Sequence, residues 1–225
     1  SQAGWISWVC RETWPVAQRS TDMIATDYAA AVAYLDRARL PAYVSFVEEA
    51  WARGLGSDRD APKRIYVRVS DGAIVSGVPA PNTHVIRSNN SDGDNPFRKN
   101  SFFNPQCYVP MSEDETRWNG QPALRLELKP TCKDDSGFTE LYADPQTLRP
   151  IAVDGMMSDM EDTSMTVAIE LRYTTVGQYT VPSDVRAHAV GHGWLFWARE
   201  RAEVSYSDYL FFQKPDFARR QASKP

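Results

Sequence analysis

The stretch 165–173 alternates without a break, with Met165, Val167, Ile169, Leu171 and Tyr173 interleaved by Thr166, Ala168, Glu170 and Arg172. A period of two sends the two sets to opposite faces of a strand, and a chain that repeats it builds half-buried antiparallel sheet. "KRIYVRVSDGAIVSG" repeats it: Ile65, Val67 and Val69 oppose Arg64, Tyr66 and Arg68, and Asp71-Gly72 supplies the turn. "ETRWNGQPALRLEL" gives a second hairpin around Asn119-Gly120, with Leu124, Leu126 and Leu128 on one face. Further strands are expected over 138–143 and, beyond the turn Asp144-Pro145-Gln146, over 148–153. A last long pair, 178–189 and 194–206, is joined at Gly191-His192-Gly193. "AYVSFVEEAWARG" has helical propensity, but its place after Pro41 and its Tyr43, Val44, Phe46 and Val47 favour a strand.

One segment has the other period. After the N-cap candidates Ser20, Thr21 and Asp22, the residues Tyr28, Ala29, Val32, Ala33 and Leu35 recur at helical spacing until Pro41, which predicts a helix over 23–40. One helix with many antiparallel strands is an α+β plan: a strongly curved sheet, a half-open β-barrel, with the helix covering it. The expected organisation is an aromatic N-terminal arm (1–20), a half-barrel domain (21–212) and a C-terminal tail (213–225).

Charge excludes one class of partner. The chain of 225 residues carries 25 basic and 29 acidic side chains, net −4, and so lacks the basic footprint that nucleic acid demands. No apolar run approaches the roughly 20 residues of a transmembrane helix, so no span of its own is expected. Ser1-Gln2-Ala3 suits a mature end left by signal cleavage, which fits an extracytoplasmic address. Cys107 and Cys132 flank the second hairpin. A bridge between them would close a loop of about 25 residues and contribute roughly 3 kcal/mol, whereas two free thiols are the alternative.

The sequence carries no recognisable catalytic pattern. There is no Gly-x-Ser-x-Gly elbow and no phosphate-cradling loop, and the chain has three histidines. His188 and His192 have a metal-binding interval only on a helix, and here they fall on a strand and its turn. Asn90, Asp92 and Asp94 imitate a calcium loop, but its glycine comes too early and no closing Glu follows. Glu48 with Glu49, Glu113 with Glu115 and Glu161 with Asp162 read as solvated charge. The expectation is a protein with no catalytic residue, no metal and no cofactor.

Three segments, "FTELYADPQTLRPIAVDG", "MTVAIELRYTTVGQYTVPSDVRAHAVGHG" and "AEVSYSDYLFF", resemble the carboxy-terminal strands of the outer-membrane lipoprotein-sorting family, the group of the carriers LolA and LolB. The shared features are a strand ending in Asp-Pro with a short turn, a strand closing in Tyr before Val-Gly-Gln-Tyr and a Pro, and a final Tyr-x-x-Tyr. The resemblance spans about 23–212. It implies a half-open barrel whose inner face holds acyl chains or another protein's apolar surface, in a periplasmic setting and without catalytic residues. Leu124, Leu126, Val167, Ile169, Leu171 and Phe196 are the candidate lining, with an ordinary filled core as the alternative.

"WISWVCRETWP" at the amino end departs from a plain carrier. Trp5, Trp8 and Trp14 either fold back on the barrel or anchor a partner, because tryptophan combines large buried area with a polar N–H. Trp194 and Trp197 fall on opposite faces of one strand, so one of them lies outside the core unless another segment covers it. The expected function is an accessory subunit that docks through these tryptophans onto protein subunits of a membrane-associated assembly, whether respiratory, photosynthetic or transport. The alternative is a soluble periplasmic carrier that binds lipid, and a hydrolase is the third reading.

Overall fold

The computed structural model describes residues 20–53, 57–59, 61–79, 96–97, 103–132, 137–160, 163–193 and 196–214. It opens with helix α1 (Thr21–Ala33), whose N-cap Ser20 accepts a hydrogen bond from the Met23 amide. The helix stops well before Pro41, unlike the expected 23–40. Tyr34 ends it, and Asp36 caps a separate 3-10 turn, Arg37–Arg39, through a 2.9 Å bond from the Ala38 amide. An aspartate that can bond the backbone two residues on restarts the chain instead of continuing it.

The strands follow as β1 (Tyr43–Arg53), β2 (Ser57–Arg59), β3 (Lys63–Arg68), β4 (Ala73–Pro79), β5 (Tyr108–Trp118), β6 (Gln121–Pro130), β7 (Phe138–Ala143), β8 (Pro150–Met160), β9 (Thr163–Val176), β10 (Tyr179–Gly193) and β11 (Phe196–Phe212). They form one antiparallel sheet in the order β4-β3-β1-β11-β10-β9-β8-β7-β6-β5, with β2 paired on β1. Its two ends, β4 and β5, are not paired to each other, so the barrel is open. Both expected hairpins are present, β3–β4 and β5–β6, and the segment after Pro41 is a strand. Several strand ends differ from expectation, β11 among them in running on to Phe212. Strand β8 begins at Pro150 and runs to Met160, and β10 continues through Gly191-His192-Gly193 instead of turning there.

The helix sits on the face that alternation makes apolar. Ile24, Tyr28 and Ala31 of α1 join one core with Val44 and Phe46 of β1, Ile65 and Val67 of β3, Leu126 and Leu128 of β6, Val153 of β8 and Leu171 of β9. Strands from both ends of the sheet thus meet around one helix, which is what curls it into a half-barrel. Two inward tyrosines depend on a bulge. Tyr206 and Tyr209 lie three apart in β11 and would face opposite ways, but the β1–β11 register shifts between Ser45 and Val47, and Asp208 takes a positive φ of 50°. The extra residue restores both rings to the core. There Phe46 packs at 5.5 Å from Tyr206 and 5.6 Å from Tyr209, between ring centroids.

Candidate functional site

Between α1, residues 96–97 and 103–106, and the sheet lies a cavity of about 670 Å³. Its apolar wall includes Val32, Leu35, Leu40, Phe97, Phe103 and Leu171. Each element is held by its own chemistry. Tyr28 of α1 donates its hydroxyl to the Pro105 carbonyl at 2.7 Å, and Arg37 donates to the Phe97 carbonyl at 2.6 Å. Phe97 packs on Phe46 at 5.7 Å, and Phe103 packs on Tyr108 and Phe138 at 5.1 and 5.5 Å. A short 3-10 turn, Pro105–Cys107, is capped by Asn104 and leads into β5. Cys107 and Cys132 form a disulfide with a Cα separation of 5.1 Å, fastening this turn to the end of β6.

Polar groups interrupt the apolar wall. Arg37 lines the cavity, and burial lowers its pKa from the usual guanidinium range. Thr180, at the start of β10, is 6% exposed, and its hydroxyl has no hydrogen-bond partner. Tyr173 of β9 faces the same space, and burial, followed by the neighbouring Tyr28 hydroxyl, pushes its pKa far up. The phenol therefore stays protonated.

The other face of the sheet has a second hollow, about 580 Å³, lined by Trp51, Asp154, Glu170, Arg172, Arg186 and Glu203 among others. Register aligns these side chains in a row: Trp51, Glu203, Arg186, Glu170, Asp154, Glu140 and Glu127 are successive cross-strand partners. Arg186 reaches Asp184 and Glu203, each at 3.1 Å, and Arg172 pairs with Glu170. Arg125 bridges Asp114 at 2.9 Å and Glu140 at 3.2 Å. Trp118 covers the Arg172 guanidinium at 4.9 Å and stands 6.2 Å from the Tyr142 ring. Asp154 is left over. One of its oxygens is buried without a partner, and its pKa rises to about 6 through burial and then the charges of Glu170 and Glu140, against the opposing effect of Arg172.

Two solved structures are similar to this chain. One, from Vibrio parahaemolyticus, is provisionally named an outer membrane lipoprotein-sorting protein domain; it is 13% identical, with a TM-score of 0.45, over 87% of this chain and 96% of its own. The other is a DUF1329 family protein from Desulfovibrio piger, 12% identical with a TM-score of 0.45, over 84% of this chain and 92% of its own. No protein-family model matches the sequence, and no curated protein matches it.

Among the residues singled out from sequence, Leu171 is both buried and on the wall of the helix-side cavity. Leu124 and Leu126 are packed core, 3% and 0% exposed. Val167 and Ile169 are half-buried, and Ile169 borders the charged hollow. Trp5, Trp8, Trp14 and Trp194 lie outside the described residues, as do the side chains of Phe196 and Trp197. Sequence reasoning passed over Phe97, Phe103, Tyr173 and Thr180. Phe97 and Phe103 did carry a signal: they are aromatic residues in the stretch 88–106, whose Asn, Asp, Gly and Pro content reads as a long loop.

Proposed function

We propose that this chain is a non-catalytic extracytoplasmic carrier that holds an acyl chain or similar elongated apolar group between α1 and the sheet. The supporting observation is the helix-side cavity itself. At about 670 Å³ it falls within the roughly 300–1,000 Å³ of small-molecule sites, and a mostly apolar wall with a few polar groups is their usual composition. The Cys107–Cys132 disulfide suits an oxidising compartment. Among the described residues no helix is long and apolar enough to cross a membrane.

The test is to purify the chain natively, extract it and identify lipids by mass spectrometry, beside an Ala29→Trp variant. Ala29 lines the cavity from an exposed position on α1 and is not itself part of the packed core, so an indole there takes up cavity space without removing a core side chain. Lipid with the wild type, lost in the variant at unchanged circular dichroism, is the expected result. Absence of lipid together with failure to bind a fluorescent acyl probe would sink the reading.

The accessory-subunit reading has the tryptophans in its favour. Three of them, Trp5, Trp8 and Trp14, crowd one short segment, as in interface anchors. Migration of the native chain inside a particle far larger than 25.4 kDa would support it, and migration as a monomer would count against it.

A further inference from the structure

Tyr173 and Thr180 carry the feature of the helix-side cavity that simple hydrocarbon storage leaves unexplained. They sit on adjacent strands. Tyr173 of β9 is directly opposite Pro182 of β10, and Thr180 is one diagonal step away on the same face. Diagonal neighbours lie about 7–8 Å apart, close enough for both hydroxyls to reach one small polar group. Both residues line the cavity. The Thr180 hydroxyl is buried with no partner, and the Tyr173 phenol faces the same cavity. A hydroxyl taken out of water without a partner opposes folding, so Thr180 on this cavity wall is retained against stability. A wall meant only for hydrocarbon would carry Val and Phe at these positions, which have the same shapes without the oxygens.

The other polar groups on this wall narrow what the hydroxyls can meet. Asp36 spends one carboxylate oxygen on the Ala38 amide, and Arg37 donates to the Phe97 carbonyl. A buried phenol is a donor in search of an acceptor, and Arg37 adds donors and no acceptor. The second Asp36 oxygen, Asn104 and Gln106 are further polar groups of the wall, and none of them is paired with the Thr180 hydroxyl.

We infer that the polar end of the ligand lies inside the cavity, with the carbonyl or carboxyl oxygens of an acyl group accepting hydrogen bonds from Tyr173 and Thr180 while its chain runs along Leu171, Phe97 and Leu35. This deepens the carrier reading and rests on it. The ligand class is an acyl compound, a fatty acid or its ester, and not a hydrocarbon or isoprenoid tail that lacks a carbonyl. Tyr173 and Thr180 select the head, and the remaining wall accepts the chain.

The experiment compares dodecanoic acid, methyl dodecanoate and dodecane as competitors of a fluorescent acyl probe on the delipidated full chain, for wild type, Tyr173→Phe and Thr180→Val. The acid and the ester should bind the wild type more tightly than the alkane does. Each variant should lose about five- to tenfold for the carbonyl ligands, the worth of one neutral hydrogen bond, with the alkane unchanged. Thr180→Val should also melt no lower than wild type without ligand, since it removes an unsatisfied buried hydroxyl; this separates lost recognition from lost folding. A preference for the acid over the ester points to a free fatty acid, and the reverse to an esterified lipid. Equal binding of all three competitors to the wild type overturns the inference and leaves the carrier reading standing, and so do variants that weaken all three alike. Failure of every competitor to bind the wild type overturns both.

Discussion

The two faces of this sheet are made by the same alternating strands and are held together in opposite ways. On the helix-covered face, Val44, Phe46, Val67, Leu126, Leu141 and Val153 are fully or almost fully buried and packed on one another. On the other face the same strands line up Glu127, Glu140, Asp154 and Glu170 as direct cross-strand neighbours. Like charges directly opposite one another are unfavourable. Arginines of the next row relieve them, with Arg125 on Glu140 and Arg172 on Glu170. The apolar face stabilises the fold by area removed from water. The charged face is nearly neutral in its effect because each pair is partly solvated, and a single unpaired acid is enough to tip it. The contrast also explains why register is firmly set: a slip of one residue would exchange the two faces along a whole strand.

The contrast is broken most directly from the apolar side. Phe46 is 0% exposed and packs against Phe97, Tyr206 and Tyr209. Phe46→Ala should cost about 3–5 kcal/mol, seen as a lower denaturant midpoint at unchanged slope. A loss below about 1 kcal/mol would mean that this aromatic cluster is not the centre of the core.

Much of this apolar face was legible in the sequence, because alternation fixes which residues share a face before any pairing is known. Leu124, Leu126 and Leu128 are the clearest instance. Features that depend on which strand lies beside which were not legible. The row from Trp51 to Glu127 joins strands distant in sequence, and no local pattern announces it. Bulges are hidden for the same reason: Asp208 adopts αL in mid-strand without the glycine that would have advertised it. Helix α1 ends early because Asp36 caps a new turn, a side-chain choice that outweighed the continuing helical spacing of Val32 and Leu35. The cavity was illegible because its walls come from α1, from 96–97 and 103–106, and from β9–β10 together.

On the charged face the expected sign is reversed. With its pKa raised to about 6, Asp154 holds a proton in the folded chain at pH values where the unfolded chain, at about 3.9, has lost it. The native state therefore binds the extra proton between these values. Stability is greatest below about pH 4 with respect to this group, falls as pH rises, and carries the full penalty above about pH 6. Partial solvation screens the effect, so Asp154→Asn should stabilise by about 1–2 kcal/mol at pH 7.5 and by almost nothing near pH 4. Melting of both proteins across that range checks it. An equal difference at every pH would show that the gain comes from packing and not from charge.

The smallest effect belongs to Arg125, which is about two-fifths exposed and bridges Asp114 and Glu140. Its pKa is raised, first by the hydrogen bond with Asp114 and then by nearby negative charge including Glu140, so it remains a cation throughout the working range. Arg125→Gln should cost less than about 1 kcal/mol, and less again in 1 M salt, which screens exposed pairs. Its interest lies in coupling. Without Arg125, the Glu140 charge opposite Asp154 loses its paired cation, so the substitution should cost more with Asp154 present than in the Asp154→Asn background. A double-mutant cycle at pH 7.5 and again near pH 4 measures that difference, which should vanish at the lower pH as Asp154 becomes neutral. Coupling that persists at low pH would mean that Arg125 acts through the packing of the Tyr142 and Trp118 rings. The charged face would then be held by the same kind of contact as the apolar one.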